Sequence, residues 1–203
     1  MENINSIKLR GIIKEIAHSH DIDGVSFGGA KLICKRPSGQ EDTINLKFKS
    51  FSNRYKENSE VILSGNIRSY SHKAEDGSNR VTVYVFTYFD DVEEELDTDN
   101  KVVLTGRICK MNELRKTRSG KHNVHFIVAN NLVSSDSSKR LNSYIPCIAW
   151  GNNAKQLAAL PVNTKIKLIG ELHSREHTKT AENGVMEIRV AHELMITSFE
   201  VLE

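Results

Sequence analysis

The chain has 203 residues, with 28 Lys/Arg against 26 Asp/Glu and a formal net charge of +2. That length holds one large domain or two small ones. Cys34, Cys109 and Cys147 are odd in number and form no CxxC pair, which excludes a zinc ribbon and gives no disulfide framework. The opening "MENINSIKLRG" has no apolar run of signal-peptide length, and no stretch reaches transmembrane length, so a soluble cytoplasmic protein with no membrane association is expected.

In chain order, the apolar pattern is short and strand-like. "NSIKLRGIIKEI" (Asn5 to Ile16) opens it, and "HSHDID" (His18 to Asp23) reads as a polar hairpin loop rather than a metal site. "FKSFSNRYKENSE" is a poor helix, then "EVILSG" and "VTVYVFTYF" (Val81 to Phe89) are dense in β-branched and aromatic residues. "DDVEEELDTDN" follows, in which seven of the ten residues from Asp90 to Asp99 are acidic. A run of like charges cannot bury itself, so residues 90–99 read as a solvated linker. Residues 1–89 then carry 13 Lys/Arg against 10 Asp/Glu (+3), and residues 100–203 carry 15 against 9 (+6). Two basic segments joined by an acidic one suit an anionic partner such as nucleic acid.

The second segment predicts strands near 101–111, 121–130, 144–150, 164–177 and 185–200. "NNAKQLAAL" (Asn152 to Leu160) predicts the one helix, opening on Asn as a cap and stopped by Pro161. This segment echoes the first. "NSIKLRGIIKEI" matches "NKVVLTGRICKM" with Gly11 on Gly106, at an offset of 95 residues. "ENSEVILSGNIRSYSH" matches "PVNTKIKLIGELHSREH" with Gly65 on Gly170 and His72 on His177, at an offset of 105. The second copy therefore carries about ten extra residues, assigned to the polar run "NLVSSDSSKRLNS" (Asn131 to Ser143). Five strands with a helix between the third and fourth is the layout of the OB barrel. The expected fold is all-β with a short helix: two tandem OB-fold five-stranded barrels, residues 1–89 and 100–203, joined by the linker.

The second copy resembles the bacterial-type single-stranded DNA-binding protein family. The motifs that carry the likeness are "NKVVLTGRI", "ELRKTRSGKHNVHFIVANN", "YIPCIAWGNNAKQLAAL", "KIKLIGELHSREH" and "GVMEIRVAHELMIT", in that order. The resemblance implies coating of single strands in replication, repair or recombination, in a bacterial cell or phage-infected host near the nucleoid. It also implies replication or recombination proteins as partners. Most members carry one barrel and form tetramers, so two barrels per chain imply a homodimer with four. Family members usually end in an acidic-tipped tail that recruits partners, whereas this chain stops at "SFEVLE". That departure leaves a second reading open, an adaptor similar to primosomal replication protein N that works mainly through protein contacts.

Single strands are bound by aromatic faces that stack bases and by cations that track phosphates. Tyr144 and Trp150 are six apart in one strand, which places both on one face with Ile148 between them. Ile145, Cys147 and Ala149 take the other, inward face. The resemblance supports Tyr144 and Trp150 as stacking residues; a core position for the sole Trp is the competing reading. In "NVHFIVAN", Val124, Phe126 and Val128 are assigned to the core and His125 to the binding face. Arg115, Lys116, Arg118 and Lys121 cluster around the Ser119-Gly120 turn, with Arg107, Lys139, Arg140, Arg175 and Lys179 extending the track. His177 lies where the family commonly has another stacking aromatic. In the first copy the counterparts are Phe48, Arg68, Tyr70, His72 and Arg80. There Tyr84, Phe86 and Tyr88 share one parity and Val83, Val85 and Phe89 the other, and one set fills the barrel. No HExxH, GxSxG or P-loop pattern is present, so neither catalysis nor a cofactor or metal is expected.

Overall fold

The computed structural model describes residues 3–49, 56–73, 77, 79–87, 99–133, 140–180 and 186–203. Residues 90–98 of the acidic stretch, 50–55 of the first copy's helix slot, and Tyr88 and Phe89 lie outside the described residues.

The first copy supplies β1 (Asn5–Ile22), β2 (Val25–Lys35), β3 (Glu41–Lys49), β4 (Glu60–Lys73) and β5 (Asn79–Thr87). They hydrogen-bond in the order β2-β3-β5-β4-β1, and β2 also pairs β1, which closes a five-stranded barrel. Alternation drives the strands: along β1, Ile7, Leu9 and Ile13 are fully buried while Ile12 points outward. Leu32, Ile44, Leu46, Leu63, Ile67, Val83 and Val85 join them in the core. The "HSHDID" stretch is strand rather than loop, because the chain turns only at Asp23-Gly24. Both residues have positive φ (49° and 76°), the geometry of a two-residue hairpin, and Ile22 faces Val25.

The second copy supplies β6 (Asn100–Met111), β7 (Arg115–Lys116), β8 (His122–Val133), β9 (Arg140–Trp150), α1 (Gly151–Ala158), β10 (Lys165–Thr180) and β11 (Met186–Val201). The order β6-β10-β11-β9-β8-β7, with β6 also paired to β8, closes a second barrel. Helix α1 starts one residue before the predicted cap. Trp150 holds the cap position without a side-chain bond, and Ala154 and Leu157 are buried. The extra residues of the second copy are largely paired: β8 and β9 keep register from Asn123–Trp150 out to Val133–Arg140, while 134–139 lie outside the described residues. The insertion therefore lengthens a hairpin.

The echoed glycines have a common physical cause. A Cβ on Gly11 would sit 2.4 Å from the Ile33 carbonyl oxygen, and one on Gly106 would sit 2.5 Å from that of Ala129. Both occupy the point where the opening strand passes from one partner to another. β1 pairs β4 through Ile12 and β2 from Ile12 onward; β6 pairs β10 through Arg107 and β8 from Arg107 onward. Gly65 and Gly170 are equally confined, with Cβ positions 2.5 Å and 2.1 Å from the carbonyl oxygens of Phe86 and Met195. Closing so small a barrel bends strands until backbone meets backbone, and only glycine fits there.

Two compact units result, and they do not divide the chain at one point. One holds residues 1–6, 101–172 and 193–203; the other holds 7–100 together with the hairpin arm 173–192.

Candidate nucleic-acid interface

On β9 the inward set is fixed by size and apolarity: Ile145, Cys147 and Ala149 are at most 1% exposed. Tyr144 and Trp150 are 48% and 39% exposed on the opposite face. Trp150 is thus a surface residue, at the end of a strand where the helix turns away. Ile148 lies on that face between them, as the spacing predicts, but is covered. It is only 6% exposed, flanked across the sheet by His125 on β8 and Met195 on β11. Its neighbours cover the middle of the face and leave the two aromatics at its ends. Six residues of strand separate them by about 20 Å, too far for one planar group to meet both rings.

Each aromatic has a cation in its cross-strand row. Trp150 faces Asn123, which faces Arg115; Tyr144 faces Ala129, which faces Arg107. Directly opposed residues share a face, so both rows present ring and guanidinium together. Arg107 is exposed and anchored, with Nη1 donating to the Asn163 carbonyl at 2.8 Å. Arg115, Lys116, Arg118 and Lys121 are all exposed on one hairpin tip. That tip is ordered by its own bonds: Thr117 N–H to Lys121 O (2.8 Å), Gly120 N–H to Thr117 O (2.9 Å), and Gly120 at φ 84°. Phe126, Val124 and Val128 are in the core, and His125 is half-buried on the outer face. Its Nδ1 lies 3.4 Å from a Glu193 carboxylate oxygen, a neighbour sequence reasoning missed because the contact is long-range. Cys109 is exposed on β6, and burial pushes its thiol up from the ordinary range.

The first barrel presents a different outer face. Val83 and Val85 point inward, so Tyr84 belongs to the outer set. Lys47 Nζ lies 4.7 Å from the centres of both the Tyr70 and Tyr84 rings, and Arg68 sits over Phe86 at 3.9 Å. Tyr70 also meets His72, with ring centres 5.5 Å apart. Burial raises the Tyr84 hydroxyl above the usual phenol range. A groove of about 440 Å³ runs beside these rings, lined by Glu15, Gly29, Lys31, Lys47, Tyr70 and Tyr84 among others. Arg80 is half-buried and His72 exposed. Phe48 must be corrected. At 5% exposure it is a core residue, because it alternates with Ile44 and Leu46 and leaves Lys47 and Lys49 on the outer parity. Its ring has no free face for a base. Lys47 was legible as the residue between two core positions, Leu46 and Phe48. Arg175 is exposed on the arm that groups with the first barrel. The side chains of Lys139, Arg140, His177 and Lys179 lie outside the described residues.

The profile of the family described as "Single-strand binding protein family" matches residues 99–202. The "Single-stranded DNA-binding protein 1" of Streptococcus pyogenes serotype M6 is 29% identical over 106 residues, covering 51% of this chain and 77% of that protein. The crystal structure of wild-type single-stranded DNA binding protein from Thermus aquaticus matches at a TM-score of 0.74 with 16% identity, over 100% of this chain and 95% of that one. A deletion mutant of the same protein matches at 0.73 with 17% identity, over 99% and 95%. These two likenesses show the fold, and they extend it over both barrels. With the family profile covering half the chain, this protein belongs to the single-strand binding protein family.

Proposed function

We propose that the chain binds single-stranded DNA, coating and protecting it during replication, repair or recombination, and acts by binding rather than by catalysis. The observation that carries this reading is the pair of aromatic–cation rows, Trp150–Asn123–Arg115 and Tyr144–Ala129–Arg107, on one outer face. Rings stack bases irrespective of sequence, and cations release counterions from phosphates. Arg107, Arg115, Lys116, Arg118 and Lys121 track the backbone, with His125 at the centre of the face. In the first barrel Arg68, Tyr70, His72 and Arg80, joined by Lys47 and Tyr84, form a second set, and Arg175 and His177 belong to the arm. Residues 1–89 and 100–203 serve as two binding modules, tethered by residues 90–99. Two such chains associate as a homodimer of four barrels in the cytoplasm, where replication or recombination proteins meet them. Among the described residues no helix is long and apolar enough to cross a membrane.

Anisotropy of a labelled oligo(dT) tests the assignment. Trp150→Ala is expected to cost about 1–3 kcal/mol of binding, the worth of one stacked base. Unchanged affinity in both Trp150→Ala and Tyr144→Ala would remove this face from the site.

A further inference from the structure

The arm formed by residues 173–192 is the distal part of β10 and β11, yet it packs with residues 7–100. One point of attachment is a buried carboxylate. Asp42, at the start of β3, is fully buried. Arg36 grips it with both ends of its guanidinium, Nε to Oδ2 at 2.6 Å and Nη2 to Oδ1 at 2.5 Å. The Ser174 backbone N–H donates to Asp42 Oδ1 at 2.5 Å and the Ser174 hydroxyl at 3.3 Å. Ser174 Oγ in turn accepts from the Thr43 N–H at 2.9 Å, and its carbonyl accepts from Arg36 at 3.3 Å. The other strand of the arm is tied at the same place, since His192 Nε2 lies 2.7 Å from the Thr43 carbonyl and donates to it. A buried carboxylate survives only when paired and hydrogen-bonded. Here it is satisfied by one residue of its own hairpin and one of the arm. Burial raises the Asp42 carboxyl, but the bonds from Arg36 and Ser174 outweigh it and hold the group below the usual range, so it is ionised at neutral pH.

The residue after Ser174 is Arg175, which is exposed. We propose that Asp42 is a positioning residue for DNA binding: its grip on Ser174 fixes the base of the arm and thereby aims the Arg175 guanidinium at the phosphates of a bound single strand. This rests on the reading that the chain binds single-stranded DNA. Asp42 itself touches no DNA, and as an anion beside a phosphate path it would oppose binding if it acted directly. Its removal should therefore strengthen binding under a simple electrostatic account and weaken it under the positioning account.

The test is a double-mutant cycle on the full chain, read by oligo(dT) affinity and its dependence on salt. Arg175→Ala is expected to weaken binding severalfold and lower the salt slope by about 0.7, the share of one cation on a single strand. Asp42→Asn should do the same although it removes a negative charge, and the double variant should match either single one. Ser174→Ala, which keeps the backbone bond, serves as a milder second probe and should give a smaller loss that also vanishes in the Arg175→Ala background. Additive effects, or tighter binding by Asp42→Asn, would overturn the proposal. So would an Arg175→Ala variant that binds like wild type. In each of those cases retained sensitivity to Trp150→Ala leaves the DNA-binding reading standing, whereas absence of any oligo(dT) binding by wild type would sink that reading itself.

Discussion

Trp150 and Tyr144 stand about 20 Å apart on one strand face, with a buried Ile148 between them. That spacing makes their contributions independent, since residues beyond about 10 Å with no shared partner usually act additively. The double variant Trp150→Ala/Tyr144→Ala should therefore lose the sum of the two single losses, within about 0.5 kcal/mol. A clearly smaller combined loss would mean that both rings serve one base. His192 sits at the base of the arm against the Thr43 carbonyl. It is 6% exposed, and burial, the largest influence, lowers its pKa below the ordinary histidine value of about 6.5, against the opposing pull of the Thr43 bond and the Asp42 charge. The folded form thus favours neutral imidazole. A depressed folded pKa means the unfolded chain binds the proton more readily. This stability is fully present above pH 6.5 and is lost as pH falls through the lower folded value. Thermal melts should show wild type losing more Tm between pH 7.5 and 5 than His192→Gln, which keeps a donor toward Thr43 but does not titrate. Equal losses would show that folding leaves the His192 pKa unshifted. The Asp42 charge also acts on His192, and Asp42→Asn in the same melts separates its share.

At the scale of elements, the closing glycines and the basic hairpin carry the expectations. Gly106→Ala forces a Cβ within 2.5 Å of the Ala129 carbonyl oxygen and the Val128 side chain. Overpacking of that kind costs about 1–3 kcal/mol or more, so the urea midpoint should fall accordingly, while Gly39→Ala, with nothing within 4 Å but φ at 84°, should cost less. Replacing Arg115, Lys116, Arg118 and Lys121 together by Gln should flatten the salt dependence of oligo(dT) binding by about 0.7 per cation that meets a phosphate. The strands were legible because alternation with period two has only two phases, and Ile145, Cys147 and Ala149 can only be the buried one. The same rule explains the error at Phe48: matching it to Trp150 slips the register by one residue, and one residue reverses inside and outside. The burial of Ile148 was not legible for another reason. Parity assigns a face but not what covers it, and Met195 and His125 come from strands far away in sequence.

At the scale of the molecule, the repeat in the sequence corresponds to two closed barrels built around equivalent glycines. What no local pattern could reveal is that residues 173–192 pack with 7–100, because Asp42 and Ser174 are 132 positions apart and neither lies in a recognisable motif. Light scattering of the purified chain should give twice the 22.9 kDa chain mass if two chains supply four barrels; a monomer at micromolar concentration would contradict the dimer. Under the proposed function, an aromatic and cationic face on the second barrel holds single-stranded DNA. Because Trp150 is the sole tryptophan, its fluorescence reports that face alone. Titration with oligo(dT) at two salt concentrations should quench it on binding, with affinity falling as salt rises. Unquenched emission at saturating oligonucleotide, or an affinity indifferent to salt, would contradict the account.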